Sequence, residues 1–500
     1  MSVKAVHQNT GKPKWSKQNN HFVLLLFCAF LGAAHRDGLS APLGVPPSFI
    51  SDPLLTVPPE VYIGKSLPGD AEIIRCPTPY EGGKTLNLEL AIDLALCRNP
   101  RIKSAWATIK IQTASLGEAR AAYFPVLNGS ISRLDDQTNY PNPSDNLAPT
   151  YVRGTSVYAN LVWRIFDFGG RNANRRSANY LLEAALASHD AAIQRALVNV
   201  VEKYFETQTA LAEWEAKKAS ANYAKQTLMV AEQREKRGVG AKTDTLQAAT
   251  ALAKVTLESN RAQGRYQKLL SELANIVGLD PSYKFALAKN KPIQDQVAQR
   301  DLDDWLTLVQ AYHPSISAAR KQLESAKEKR SVTISDAMPS LDFTANFFQN
   351  GRPNQGLTVV RTQETLAGFT LNIPIFDGFA RAYKVRGAEA EVERKGAELQ
   401  EVENQVSMEV VKAYADTTSA INNINSAQLL LNSANASLKS IARKFEFGAI
   451  DILEMLNAQS VLADAEQEQI RCLSELRSAK LRLYASAGVM GRILVTGKNY

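Results

Sequence analysis

Aromatic residues are scarce, at 8% of a 500-residue chain, and abundant alanine suits long helices better than a large globular core. The five histidines, His7, His21, His35, His189 and His313, have no metal-ligand spacing. No glycine-rich phosphate loop follows a strand. Asp and Glu pairs on the helices are no more frequent than so charged a chain gives by chance. The sequence therefore points to no enzyme, no metal and no cofactor. Charge of one sign is also lacking: the net +8 is spread over interleaved runs such as Glu213-Trp214-Glu215-Ala216-Lys217-Lys218, the pattern of a solvated helix face. Nucleic acid is thus not an expected partner. Beyond the first 34 residues no run of 18 apolar residues exists, which argues against a helical membrane protein.

What is there begins with a leader. Lys4, Lys12, Lys14 and Lys17 precede the apolar run Phe22 to Leu31 and then Gly32-Ala33-Ala34. This is a basic region, a hydrophobic core and a small-residue cleavage site, so residues 1–34 read as an export signal. Phe27 is bulky where a lipid-attachment signal needs a small residue before its cysteine, so Cys28 is not expected to carry lipid. Export puts Cys76, Cys97 and Cys472 in an oxidising compartment. Cys76 and Cys97 are expected to pair, stapling the N-terminal extension 35–85 to the first helix, and Cys472 to be an apolar filler.

The second half of the chain repeats the first. Phe166-Asp167-Phe168-Gly169-Gly170-Arg171 recurs as Phe376-Asp377-Gly378-Phe379-Ala380-Arg381, and Tyr204, Gly238, Leu246, Ala248 and Gly278 recur as Tyr414, Gly448, Leu456, Ala458 and Gly488. Upstream, Asn99-Pro100 matches His313-Pro314 and Pro125 matches Pro339, four residues out of that phase. So long a period is no solenoid. It is one supersecondary unit made twice, over 86–280 and 301–490, with a linker at 281–300 and a tail at 491–500.

Each unit reads as helix, β-hairpin, very long helix, turn and long helix. The first helix is expected over about Leu86 to Ala122 and about Leu302 to Ala337, interrupted at Pro100 and Pro314. Then the period changes to two. Leu127, Gly129 and Ile131 alternate with Asn128, Ser130 and Ser132, and Val157, Ala159, Leu161 and Trp163 return after a loop. In the second unit Leu341, Phe343, Ala345 and Phe347, then Phe369, Leu371, Ile373 and Ile375, do the same. Such strands have the length of tilted transmembrane strands. From about Gly170 to Arg237 nothing breaks a helix, giving about 100 Å at 1.5 Å per residue. Ile424, Leu431, Leu438 and Phe445, interleaved with Ala427, Ala434 and Ile441, form a coiled-coil seam.

Closure decides the function class. A sheet in hydrocarbon cannot leave an edge open, and two hairpins supply only four strands, while about eight make the smallest closed barrel. Other copies of the chain must complete it, a dimer giving eight strands and a trimer twelve. The fold class expected is an α+β membrane protein: a β-barrel in the outer membrane continuous with a long helical coiled-coil barrel in the periplasm.

Ala95-Leu96-Cys97-Arg98-Asn99-Pro100, the duplicated Phe-Asp motif at Phe166 and Phe376, and the Leu-x-Ala turns at Leu246 and Leu456 resemble the TolC family of outer-membrane factors. The resemblance covers nearly the whole mature chain. It implies a homotrimer with a twelve-stranded barrel in the outer membrane lipid of a Gram-negative bacterium. It also implies two partners, a periplasmic adaptor (membrane fusion protein) and an inner-membrane transporter, ABC or proton-driven. Type I protein secretion is the expected task. A multidrug or small-molecule efflux duct is the alternative, and a periplasmic coiled-coil scaffold is the rival of another class.

The resemblance also places a periplasmic gate beside the tip turns Gly238 and Gly448. Relatives bond a Thr-Asp pair in the first repeat to a Tyr and an Arg in the second. Here Thr243-Asp244 is present, but Phe445 and Ile450 occupy the partner positions, so apolar packing is expected to close the tip. The aperture positions hold Glu454 and Asn457, leaving one acidic ring of three carboxylates in a trimer, which would favour cations and raise local proton affinity.

Overall fold

The computed structural model describes residues 85–489 except 140–148, 284, 289–299, 353–356, 358–359 and 448. The leader with Cys28, Cys76, Gly448 and the tail 491–500 lie outside the described residues. In chain order the elements are β1 (Thr85–Leu86), α1 (Leu88–Arg98), α2 (Pro100–Ala121), β2 (Val126–Thr138), β3 (Thr150–Phe166), α3 (Gly170–Lys236) and α4 (Lys242–Ile276). The second set is β4 (Ala286–Leu287), α5 (Leu302–Tyr312), α6 (Pro314–Ser335), β5 (Ser340–Gln349), β6 (Gln363–Asn372), α7 (Ala380–Glu446) and α8 (Ile452–Ser486).

The duplication is structural to the residue. The paired helices have 11, 22, 67 and 35 residues in both copies. Asn99 ends α1 and, with its Oδ1 accepting from the Arg101 N–H at 2.8 Å, starts α2. Proline at the first helical position lacks only an N–H that would be unpaired anyway. His313 stands at the same break before Pro314 without a side-chain cap. Two boundaries differ from expectation. The linker 281–300 contributes β4, which pairs in parallel with β1. The last strand ends at Asn372, short of Ile373 and Ile375, because Pro374 has no N–H for a ladder.

The main sheet is antiparallel in the order β2-β3-β5-β6. Its register sorts the side chains by polarity. One face carries Leu127, Gly129 and Ile131, opposite Leu161, Ala159 and Val157, then Ala345 and Phe347, then Ala367 and Thr365, with Trp163, Phe343 and Phe369 in one further row. From Leu341 to the level of Val157 this apolar band runs about 27 Å along a strand at about 3.4 Å per residue, the height of a bilayer core. Arg133, and Arg153 paired with Asp135 at 2.7 Å, begin where it ends. The other face holds Asn128, Asn160, Asn346 and the Arg164–Asp342 pair. Polar groups of that kind are tolerated facing a lumen and costly facing lipid.

The helices pack side by side. Next to the sheet the order is α2-α3-α6-α7, and further away it is α4-α3-α8-α7. Between these levels lies the main core, where Tyr204, Phe205, Val200 and Val201 on α3 meet Leu86, Leu94, Leu273, Val309 and Val410. The Tyr204 hydroxyl reaches the Leu86 carbonyl at 3.3 Å, which satisfies a buried polar atom. Farther along, the expected seam is present with alanine as its most buried member. Ala420, Ala427 and Ala434 are sealed, and Leu431 and Leu438 lie partly buried beside Leu462 and Ala465.

Candidate functional site

Two places concentrate polar and strained geometry: the strand-to-helix junction and the far tip of the helices. At the junction both copies of the Phe-Asp motif make one clasp. Asp167 Oδ2 accepts from the Arg171 backbone N–H at 2.9 Å and from Arg171 Nε at 3.0 Å, while Arg171 Nη1 donates to the Arg164 carbonyl at 2.7 Å. Asp377 and Arg381 repeat this at 3.1 and 2.8 Å, with Nη1 on the Pro374 carbonyl at 2.7 Å. The carboxylate thus caps a long helix and the guanidinium ties it to carbonyls at the end of the preceding strand or just beyond it. Hydrogen bonding to Arg381 holds the Asp377 carboxyl below the usual carboxylate range.

The turn inside each clasp has two successive left-handed residues. They are Phe168 (φ 49°) and Gly169 (φ 89°) in the first copy, and Gly378 (φ 68°) and Phe379 (φ 69°) in the second. Glycine adopts this region freely and phenylalanine does so at a cost of about 1 kcal/mol or more. What the aromatic gains is position. Phe168 packs edge-on against Phe166 and Phe379 against Phe376, and all four stand exposed at the foot of the apolar band. Aromatic rings at that level are the girdle of a membrane barrel.

At the tip, Gly238 (φ 74°) ends α3, with its N–H on the Glu235 carbonyl and that of Val239 on the Arg234 carbonyl. Gly448 lies outside the described residues. Thr243 is exposed and Asp244 half-buried in the first turn of α4, and among the described residues neither side chain bonds to the second repeat. Phe445 and Ile450 instead join an apolar knot inside the protomer. Phe445 is 6% exposed and packs with Ala231, Ala248 and Ile452, and Ile450, Leu228, Met455 and Leu456 close around them.

Three contacts that sequence reasoning missed organise this knot. Arg234 lies over the Phe445 ring at 5.0 Å and its Nη1 donates to the Phe445 carbonyl at 3.2 Å. Gln459 Nε2 donates to Thr227 Oγ1 at 2.8 Å, joining α8 to α3. Thr245 Oγ1 donates to Glu235 Oε2 at 2.6 Å, closing the first turn. A signal was available in the repeat itself, because Phe445 aligns with Glu235: an apolar residue replacing a carboxylate beside a cation. Glu454 is exposed in the first turn of α8, where the helix N-terminus favours a negative charge. Asn457 lines a cavity of about 710 Å³ between the helical hairpins, with Lys254, Glu258 and Gln459.

Cys97, on α1, is disulfide-bonded, and Cys472 is a buried free thiol.

The family model for outer membrane efflux proteins matches residues 91–279 and 305–489, one match per repeat. Protein CyaE of Bordetella pertussis is 32% identical over 439 residues, 88% of this chain and 91% of its own. The alkaline protease secretion protein AprF of Pseudomonas aeruginosa is 22% identical over 59% of this chain and 62% of its own. Among solved structures, the outer membrane protein VceC of Vibrio cholerae superposes with a TM-score of 0.70 at 20% identity, covering 80% of this chain and 96% of VceC. The chain belongs to the outer membrane efflux protein family. Channels of this family form homotrimers in the outer membrane of Gram-negative bacteria and work with periplasmic adaptors and inner-membrane transporters. This protein is such an outer-membrane channel, serving tripartite export.

Proposed function

We propose that three copies of this chain close into one tube, a twelve-stranded barrel continuous with a helical barrel, through which a polypeptide leaves the cell in a single passage. The observation that carries this reading is that every layer is open on the same two sides. The sheet ends at β2 and β6, the upper helical ribbon at α2 and α7, and the lower ribbon at α4 and α7. β2 follows α2, and β6 leads into α7, so one rotation that pairs β6 of one protomer with β2 of the next also joins the helices. Heterologous contacts of this kind close into a ring.

The chain supplies a path and no chemistry; the driving energy comes from the inner-membrane partner. Protein rather than drug as cargo is supported by likeness to AprF, a protease secretion protein. Arg234 and the apolar knot hold the tip shut at rest, and Glu454 contributes one acidic ring at its aperture. Cys76 bridges to Cys97.

The test has two parts. Detergent-extracted protein should run as a heat-modifiable trimer and conduct in planar bilayers; a protein that stays soluble without detergent would leave only a periplasmic scaffold. Co-expression with an ABC exporter and its adaptor should put the exporter's polypeptide substrate in the medium. Loss of drug efflux on deletion, with secretion intact, would assign the duct to small molecules.

A further inference from the structure

The lumen-facing side of the sheet is not uniformly polar: Val126 and Val162 share one row of it, Leu366 stands beside Asn346, and a stacked aromatic pair lies higher. Asn128, Asn160 and Asn346 form a single cross-strand row on three adjacent strands, with Asn160 Nδ2 donating to Asn346 Oδ1 at 2.7 Å. One row nearer the exterior, Tyr158 and Phe348 are direct partners across β3 and β5. Their rings stack at 5.3 Å and 21°. The Tyr158 hydroxyl leans back to Asn346 Oδ1 at 3.4 Å, and Arg352 lies over the Phe348 ring at 5.4 Å. Arg352 is itself paired with Glu364. The wall at this level is therefore aromatic and carboxamide, with its two charges cancelling.

Lipid does not explain the pair, because these rings sit on the face opposite the apolar band. Packing inside a protomer does not bury it either, since both rings remain part-exposed. We infer that Tyr158 and Phe348, with the asparagine row beneath them, form a collar that contacts an extended polypeptide inside the barrel. The chemistry fits that class of ligand. Ring faces accept passing aromatic and aliphatic side chains, carboxamides exchange hydrogen bonds with peptide groups whatever the sequence, and a neutral wall does not trap charged residues. Three such collars would face one another in a trimer. The inference rests on the polypeptide-duct reading.

The experiment uses the full-length trimer in a planar bilayer, with unstructured Gly/Ser-rich peptides, with or without three phenylalanines, added on the barrel side. An aromatic contact of about 0.5–1.5 kcal/mol corresponds to roughly 2- to 10-fold in residence time. In the wild type the phenylalanine peptide should block the current at least about 3-fold longer than its plain counterpart. Phe348→Leu, which keeps bulk but not the ring, should remove that difference while open-channel conductance stays the same. Tyr158→Leu is the second variant, and heat-modifiable migration verifies assembly of either. Equal residence of the phenylalanine peptide in wild type and in the assembled leucine variant would overturn the collar. The exporter assay reads the cargo separately, so a collar without secretion, or secretion without a collar, tells the two readings apart.

Discussion

At the scale of the residue, His313 departs most from its copy. Asn99 caps α2, whereas His313 caps nothing, is 9% exposed, and among the described residues leaves Nδ1 without a partner. Burial, with the nearby Arg195, lowers its pKa from 6.5 to about 4. It lines a cavity of about 550 Å³ together with Arg195 of α3, Glu409, Lys412 and Asp416 of α7, and Arg482 of α8. Because the folded state prefers the neutral imidazole, the unfolded chain binds the extra proton, and stability falls as pH drops from about 6.5 towards 4. Between pH 7.5 and 5 the loss should be about 2 kcal/mol per protomer. Thermal unfolding of the solubilised protein at both pH values checks this, and His313→Asn, which restores the first copy's cap, should flatten the difference.

Arg234 belongs to the same scale. Its stacking and carbonyl bond are together worth about 1–2 kcal/mol, enough to shift a closed tip measurably towards open. Arg234→Ala should raise single-channel conductance or open probability several-fold with the trimer intact; unchanged currents would remove it from the gate. Glu454→Ala should reduce cation selectivity, measured as reversal potential in a salt gradient, if the acidic ring lines the aperture.

At the scale of the element, the two clasps lie in separate copies of the junction, so their contributions should add. Asp167→Ala should cost about 1–2 kcal/mol through loss of a helix cap and of a half-buried ion pair. Asp377→Ala, at the exposed copy, should lower the midpoint less, and the double variant should lower it by the sum of the two. Denaturant midpoints of the solubilised protein measure it. Helices were the legible elements. Pro100, Pro314 and Gly238 punctuate long proline-free stretches, so α2, α3 and α6 begin or end where the residues said they would. The strand ends were less legible, because alternation runs on through Ile373 and Ile375 although Pro374 stops the ladder. The contacts at the tip were not legible. Arg234 is one cation among many on a 67-residue helix, and its partner lies 211 residues away. No local pattern announces such a pair. Only the difference between Glu235 and Phe445 hints at it.

At the scale of the whole molecule, sorting by register makes a sharp prediction about insertion. Phe369 lies on the apolar face and Thr344 on the polar one, on adjacent strands. Phe369→Arg, about a quarter of the way up the apolar band, should cost about 1–3 kcal/mol, between the values for the interface and the midplane, and lower the yield of heat-modifiable trimer in the outer membrane. Thr344→Arg should assemble normally and shift the channel towards anions. The opposite pattern would invert the sheet.

The two hairpins of a protomer are unequal in height. β2 and β3 have 13 and 17 residues, against 10 and 10 for β5 and β6. Above the shorter hairpin, Asn350 donates to the Thr155 carbonyl at 2.7 Å, and the Leu357 N–H donates to Asp136 Oδ2 at 2.8 Å, so the second loop leans on the taller neighbour. In a ring of three, the ladder therefore rises and falls in turn, three taller hairpins each buttressed by its shorter neighbour, so the rim is held by contacts between hairpins as well as by the ladder below it.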